Sequence, residues 1–326
     1  MSDYDRFEYL EIDDVAPAAV CPAPPKTTPG ARPTERRVSE APAPARKLVV
    51  DQIIGSHGSA IGEFNCPCGL AVDRHGILYV CDAYNHRIQR ITPTGDATAI
   101  GSKGSEPGRF LAPQDIYVDD EATMYVLEQG NSRIQKITSD GRLERIIGRP
   151  GPRPGEFNSP MGLAVDRSGN IYVADTGNNR LQKISPLGLP IFVISSARER
   201  HLCSPQGVEL DLQGNCFVAD TFGHCIVMLD ANGREVGRFG RRGVGRGEFD
   251  EPQDLAIDIH GAMYVIEMAN NRLQAIDADN TCMACLDLSR SPVGSMKSPS
   301  GIAVSPTGEI YVADTMNHRI LRIVWR

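Results

Sequence analysis

Residues 160–184 read PMGLAVDRSGNIYVADTGNNRLQKI, and residues 299–323 read PSGIAVSPTGEIYVADTMNHRILRI. Less regular copies begin at Pro67, Pro113, Pro205 and Pro252, so six proline-led segments follow one another at steps of 46, 47, 45, 47 and 47 residues. A period held this closely over six copies marks a repeat architecture. Within one copy, GLAVD reads as a short apolar strand and DRSG as a tight turn, with Asp and Gly where such turns need them. NIYVAD and NRLQKI read as two further strands. A fourth follows in most copies, as in RLERIIG from Arg142 to Gly148, before a glycine-rich loop that ends in GEF or GRF. No segment has helical periodicity. Four strands per period, repeated six times, predict an all-β, six-bladed β-propeller of four-stranded blades.

The two ends of the repeat array predict how the ring closes. The last copy stops at Trp325-Arg326, after its third strand, while residues 48–55 (LVVDQIIG) match the fourth-strand pattern. An N-terminal strand that completes the last blade would remove an exposed sheet edge.

The runs IYVADTGNNRLQKI and IYVADTMNHRILRI resemble the NHL repeat family of six-bladed propellers, and the resemblance covers residues 46–326. It implies the fold. It leaves the activity open, because the family spans lyases, RNA binders and protein-interaction modules. In amidating lyases of similar fold, zinc-binding His residues follow the blade prolines; here those positions hold Cys, Gln, Met and Ser. Lactonase-like propellers place a metal on the axis through carboxylates and Asn, which keeps Asp115, Asp254 and Glu209 as candidates.

Residues 1–45 are a different material. Residues 15–45 are rich in Pro and Ala and read as an extended, disordered linker. In the first fourteen residues Tyr4, Phe7, Tyr9 and Leu10 alternate with acidic residues, a pattern of docking peptides that order on a partner. The whole chain has 34 Lys plus Arg against 41 Asp plus Glu, a formal charge of −7, which argues against a protein built chiefly to hold nucleic acid. No apolar run is long enough to span a membrane. The start lacks the basic and apolar regions of a secretory leader, and the nine cysteines are an odd count, so a reducing cytoplasm is expected.

Propeller geometry ranks the remaining candidates. Residues just after each proline should line the axial mouth: Cys68, Gln114, Met161, Gln206, Gln253 and Ser300. Copies two and five read Pro-Gln-Asp and replace the Asp of VAD by Glu, which predicts Asp115 beside Glu128 and Asp254 beside Glu267. Such pairs suit a divalent cation or acid–base work. The structural alternative pairs Glu128 with Arg133 and Glu267 with Arg272, the spacing that other copies show as Asp to Arg. Glu209, in the innermost strand of copy four, needs a partner or the channel. His224 and Cys225 of that copy read as repeat degeneration. Cys282 and Cys285, three apart on an outer strand, are expected on opposite faces. Arg149, Arg153, Arg241, Arg242 and Arg246 in the glycine-rich loops form a basic face that could hold RNA phosphates. The leading expectation is an interaction scaffold: the open face holds a protein partner and the tail adds a second contact. The alternatives are a metal-assisted hydrolase or lyase taking a small molecule in the axial funnel and, third, RNA binding. No resident cofactor is expected beyond a possible divalent metal.

Overall fold

The proline-led repeat becomes a blade because its strands alternate in a way that suits a sheet buried on both faces. In the computed structural model, which describes residues 46–197 and 200–326, blade three runs outward from the axis as Gly162–Val165, Ile171–Asp175, Arg180–Ile184 and Pro190–Ile194, each antiparallel to the last. The second and third strands are buried throughout, as a sheet sandwiched between neighbours requires. The predicted tail contacts Tyr4, Phe7, Tyr9 and Leu10 lie outside the described residues.

Six such sheets form the ring, and the inner strand of each touches that of the next. The last blade closes as expected: Leu48–Ile54 pairs antiparallel with Arg319–Trp325, with Leu48 opposite Trp325 and Ile54 opposite Ile320. Six apolar clusters fill the six seams between blades. Each fully buried Tyr or Ile there contributes roughly 1.5–3 kcal/mol against exposure.

The glycine-rich loop also has a packing role. Phe64, Phe110, Phe157 and Phe249 are fully buried, and each ring lies where a Cβ would stand on Gly55, Gly101, Gly148 or Gly240. Those glycines also have φ between 77° and 89°, so no other residue fits without strain. Leu202 and Met296, 2% and 1% exposed, take the equivalent place in the two seams without this loop. The hairpin Ser196–Ala197/Arg200–His201 precedes Leu202.

Neighbouring blades are also tied by hydrogen bonds. The residue after each second-to-third-strand turn is left-handed, and in five of the six blades its side chain accepts the amide of the residue before the next blade's proline. His86 Nδ1 accepts from Ala112 (3.1 Å), Asn179 from Ser204 (2.8 Å), His224 from Glu251 (3.2 Å), Asn271 from Ser298 (2.9 Å) and His318 from Cys66 (3.0 Å). Burial lowers the pKa of all three histidines, consistent with a neutral ring that accepts.

The outer strand of blade five corrects one expectation. A bulge at Met283 leaves Cys282 opposite Ile276 and Cys285 opposite Gln274, so both face the blade-four side. Simple alternation would have parted them.

Candidate functional site

The acid of each blade's second strand is structural. Asp175 is fully buried; its Oδ2 accepts Arg180 Nε (2.6 Å), Asn178 Nδ2 and Gln182 Nε2 (both 2.9 Å), and its Oδ1 accepts the Asn158 amide. Arg180 spends its other donors on the carbonyls of Pro152, Arg153 and Glu156. The spacing Asp-x2-Asn-x-Arg-x-Gln is thus one clamp that ties the second-to-third-strand turn to the incoming loop. Glu128 with Arg133 (2.5 Å) and Glu267 with Arg272 (2.6 Å) make the same clamp.

The predicted carboxylate pairs do not form. The inner strand is bulged, so Pro113 faces Glu128 while Asp115 faces Leu127, and Pro252 faces Glu267 while Asp254 faces Ile266. Asp115 and Asp254 turn instead to the axis and to the next blade. Asp115 Oδ2 accepts the Leu163 amide (2.7 Å) and Asp254 Oδ2 the Ile302 amide (3.0 Å); each Oδ1 accepts the amide of the following residue. Copies one and four have Gly69 and Gly207 at this level because the Asp Cα of the next blade leaves no room for a Cβ.

Around the axis the structure gathers Gln114, Asp115, Met161, Gln206, Gln253, Asp254 and Ser300 about a pocket of about 10 Å³, room for one water-sized group. Cys68 is not among them. It is 3% exposed, and its thiol donates to the carbonyls of Pro113 (3.3 Å) and Cys81 (3.6 Å) inside the seam. Protein surrounds the axial acids on all sides except the narrow lumen. Burial raises Asp115 to about 7. Burial, and next the charge on Asp115, raise Asp254 well above the usual range and Glu209 to about 8. Asp115 and Asp254 line this pocket; Glu209 does not line it, though it feels the charge of Asp115. Among the described residues no group of three or more His, Cys, Asp or Glu stands close enough to hold a metal.

Blade four departs as its sequence predicts. Cys225 replaces the clamp Arg, and Arg238 of the outer strand reaches Asp220 instead, at 3.3 Å. With this longer contact, and neither Asn nor Gln as donor, burial lifts Asp220 to about 6. His224 is the inter-blade acceptor described above, so it and Cys225 form no reactive pair.

The basic face is largely met by its own acids. Arg149 pairs with Glu156, Arg241 with Glu248 and Arg242 with Asp250. Arg246 donates to the carbonyls of Cys282 and Met283, and the backbone amide of Arg153 donates to Glu156.

The open face has a feature not singled out from the sequence. The second residue after the clamp acid is Tyr84, Gly130, Gly177, Phe222, Ala269 or Met316 in blades one to six. Tyr84, Phe222 and Met316 are 62%, 56% and 47% exposed, in loops beside the axial mouth. Aligning the copies would have revealed this position, where large apolar residues stand in a turn that needs none.

Residues 64–91, 157–184 and 296–323 match the NHL repeat; these are blades one, three and six, which keep the Asp-Asn-Arg clamp. No curated protein matches the sequence. Solved structures of similar fold include a gluconolactonase from Xanthomonas campestris, 15% identical with TM-score 0.62, covering 88% of this chain and 99% of that one. A virginiamycin B lyase from Staphylococcus aureus is 13% identical with TM-score 0.56, covering 86% and 99%. A protein of unknown function from Bacteroides thetaiotaomicron is 14% identical with TM-score 0.67, covering 86% and 76%. At these identities the likeness concerns fold alone. The chain is a six-bladed β-propeller, three of whose blades match the NHL repeat.

Proposed function

We propose that the propeller is a protein-binding module whose open face docks a partner. The observation that carries this reading is the exposure of Tyr84, Phe222 and Met316 at one repeated loop position around the axial mouth. Large aromatic and Met side chains are enriched at the centres of interfaces, and a rigid ring presents them at little entropic cost. The acidic, aromatic start with Tyr4, Phe7, Tyr9 and Leu10 supplies a second contact, which raises avidity through linkage. Capture from host lysate with the full chain, with residues 46–326, and with a Tyr84→Ala, Phe222→Ala, Met316→Ala variant tests it. The rim variant loses the partner and the shortened chain holds it more weakly; equal capture by all three would sink the reading.

A second reading, a hydrolase or lyase at the axial mouth, draws on Asp115 and Glu209, whose pKa values of about 7 and about 8 suit proton transfer. Proteins of similar fold described as a gluconolactonase and a virginiamycin B lyase add to it. The small pocket leaves it with less support than the rim. RNA binding has less again, since four of the five loop arginines, Arg149, Arg241, Arg242 and Arg246, are met by acids or carbonyls.

A further inference from the structure

A sizeable cavity lies on the opposite face, in the seam where the ring closes. It measures about 570 Å³, within the range of small-molecule sites. One wall belongs to blade six, the blade made from both chain regions, and the other to the turns of blade one.

Its origin can be read from one row of side chains. In blade three, Tyr172, Lys183 and Phe192 stand side by side across three strands, facing blade four. Phe192 packs into that seam against Tyr172, and Lys183 Nζ reaches the Ala231 carbonyl of blade four. The matching row of blade six is Tyr311, Arg322 and Gln52. Gln52 is exposed where Phe192 fills, so this seam stays open.

Glu309 is the carboxylate of the cavity wall, and it is already satisfied: Ser305 and Thr307 donate to Oε2, and Arg322 to Oε1. Against the effect of burial, those bonds hold Glu309 at about 2, so it stays a charged, occupied acceptor. Arg322 meets Asp51 and Glu309 only at 3.2 and 3.3 Å, and its buried Nε–H has no acceptor among the described residues. Across the cavity Arg74 is exposed and donates from Nε to His75 Nε2, leaving its terminal nitrogens to a ligand. Ile53, Ile54, Ile91, Pro93 and Pro306 supply the apolar walls. The open guanidinium of Arg74 beside aliphatic walls matches an acceptor-rich head on an apolar body.

We infer that this closure seam is a binding site for a small organic carboxylate with an apolar body, its carboxylate held by the uncommitted guanidinium nitrogens of Arg74 and its body laid between blades six and one. The site is separate from the open face, so it stands or falls independently of partner docking.

The test is calorimetric titration of the full chain with 2-naphthoate, and with its methyl ester as the uncharged control. The carboxylate binds at least about tenfold more tightly than the ester, about 1.4 kcal/mol. Gln52→Phe, which copies blade three and fills the seam, abolishes binding while its thermal transition stays cooperative. Arg74→Ala, an exposed change that spares the fold, weakens binding about tenfold. Equal binding of acid and ester, full binding by Gln52→Phe or by Arg74→Ala, or no binding of 2-naphthoate at millimolar concentration would each overturn the inference.

Discussion

Replacing Asp115 by Asn removes a charge from the axis and nearly preserves the side-chain shape. In the native chain Asp115 titrates near 7, against 3.8 for an unburdened Asp. A carboxyl whose folded pKa is raised contributes stability that is full below the unfolded value and is lost as pH rises through the folded one. The loss between pH 5 and pH 7 spans two pH units, which sets a ceiling of about 2.7 kcal/mol. Sharing of protons with Asp254 and contact with the lumen reduce this, and about 2 kcal/mol is the expected size. Asn has one acceptor oxygen and so loses its bond to either the Leu163 or the Ile116 amide, at a cost of about 1 kcal/mol. Asp115→Asn is therefore near neutral or slightly destabilising at pH 5, and stabilising relative to wild type at pH 8. The assay is urea denaturation of both proteins at pH 5, 6, 7 and 8 at constant ionic strength, read by tryptophan fluorescence and circular dichroism. A difference between variant and wild type that is flat with pH would refute the claim that Asp115 is a buried, titrating axial acid.

Other consequences follow from the same contacts. The three histidines that accept inter-blade amides have lowered pKa values, so their contribution is full above about 6.5 and is lost as pH falls below it. Substituting Asn at His86, His224 and His318, the acceptor used in blades three and five, should flatten the acid side of a melting-temperature profile. Arg180→Ala strands the fully buried Asp175 and should cost about 3–5 kcal/mol in chemical denaturation. Arg238→Ala should cost less, because its contact with Asp220 is longer and Asp220 can take a proton near pH 6. Deleting residues 46–55 removes the strand that closes blade six and should abolish cooperative unfolding; an unchanged transition would contradict the closure.

The fold was legible because the repeat states it six times. Each copy places Gly and Pro where a turn or an inner strand needs them, five of the six keep the acid-to-Arg spacing of the clamp, and strand patterns at both ends pointed to the shared last blade. The axis was legible only in part. Asp115, Asp254 and Glu209 stood out as departures from the repeat, but the bulge after Pro113 and Pro252 shifts the register by one residue. That shift moves the aspartates away from Glu128 and Glu267 and turns them toward each other across the lumen. Cys68 left the expected axial set because its thiol finds the carbonyls of Pro113 and Cys81 inside the seam. The bulge at Met283 likewise reversed the expected facing of Cys282 and Cys285. The seam cavity had no local signal at all, since it arises from Gln52 standing beside residues some 270 positions away in the chain.

The central claim is that the rim of the open face holds a partner. The most direct measurement is quantitative capture from host lysate by the wild-type chain and by the Tyr84→Ala, Phe222→Ala, Met316→Ala variant, with melting curves as the control for folding. The account predicts a defined partner that the wild type retains and the variant, folded and equally stable, releases by more than about tenfold, as expected when aromatic anchors are removed. A partner held equally by both proteins would contradict it.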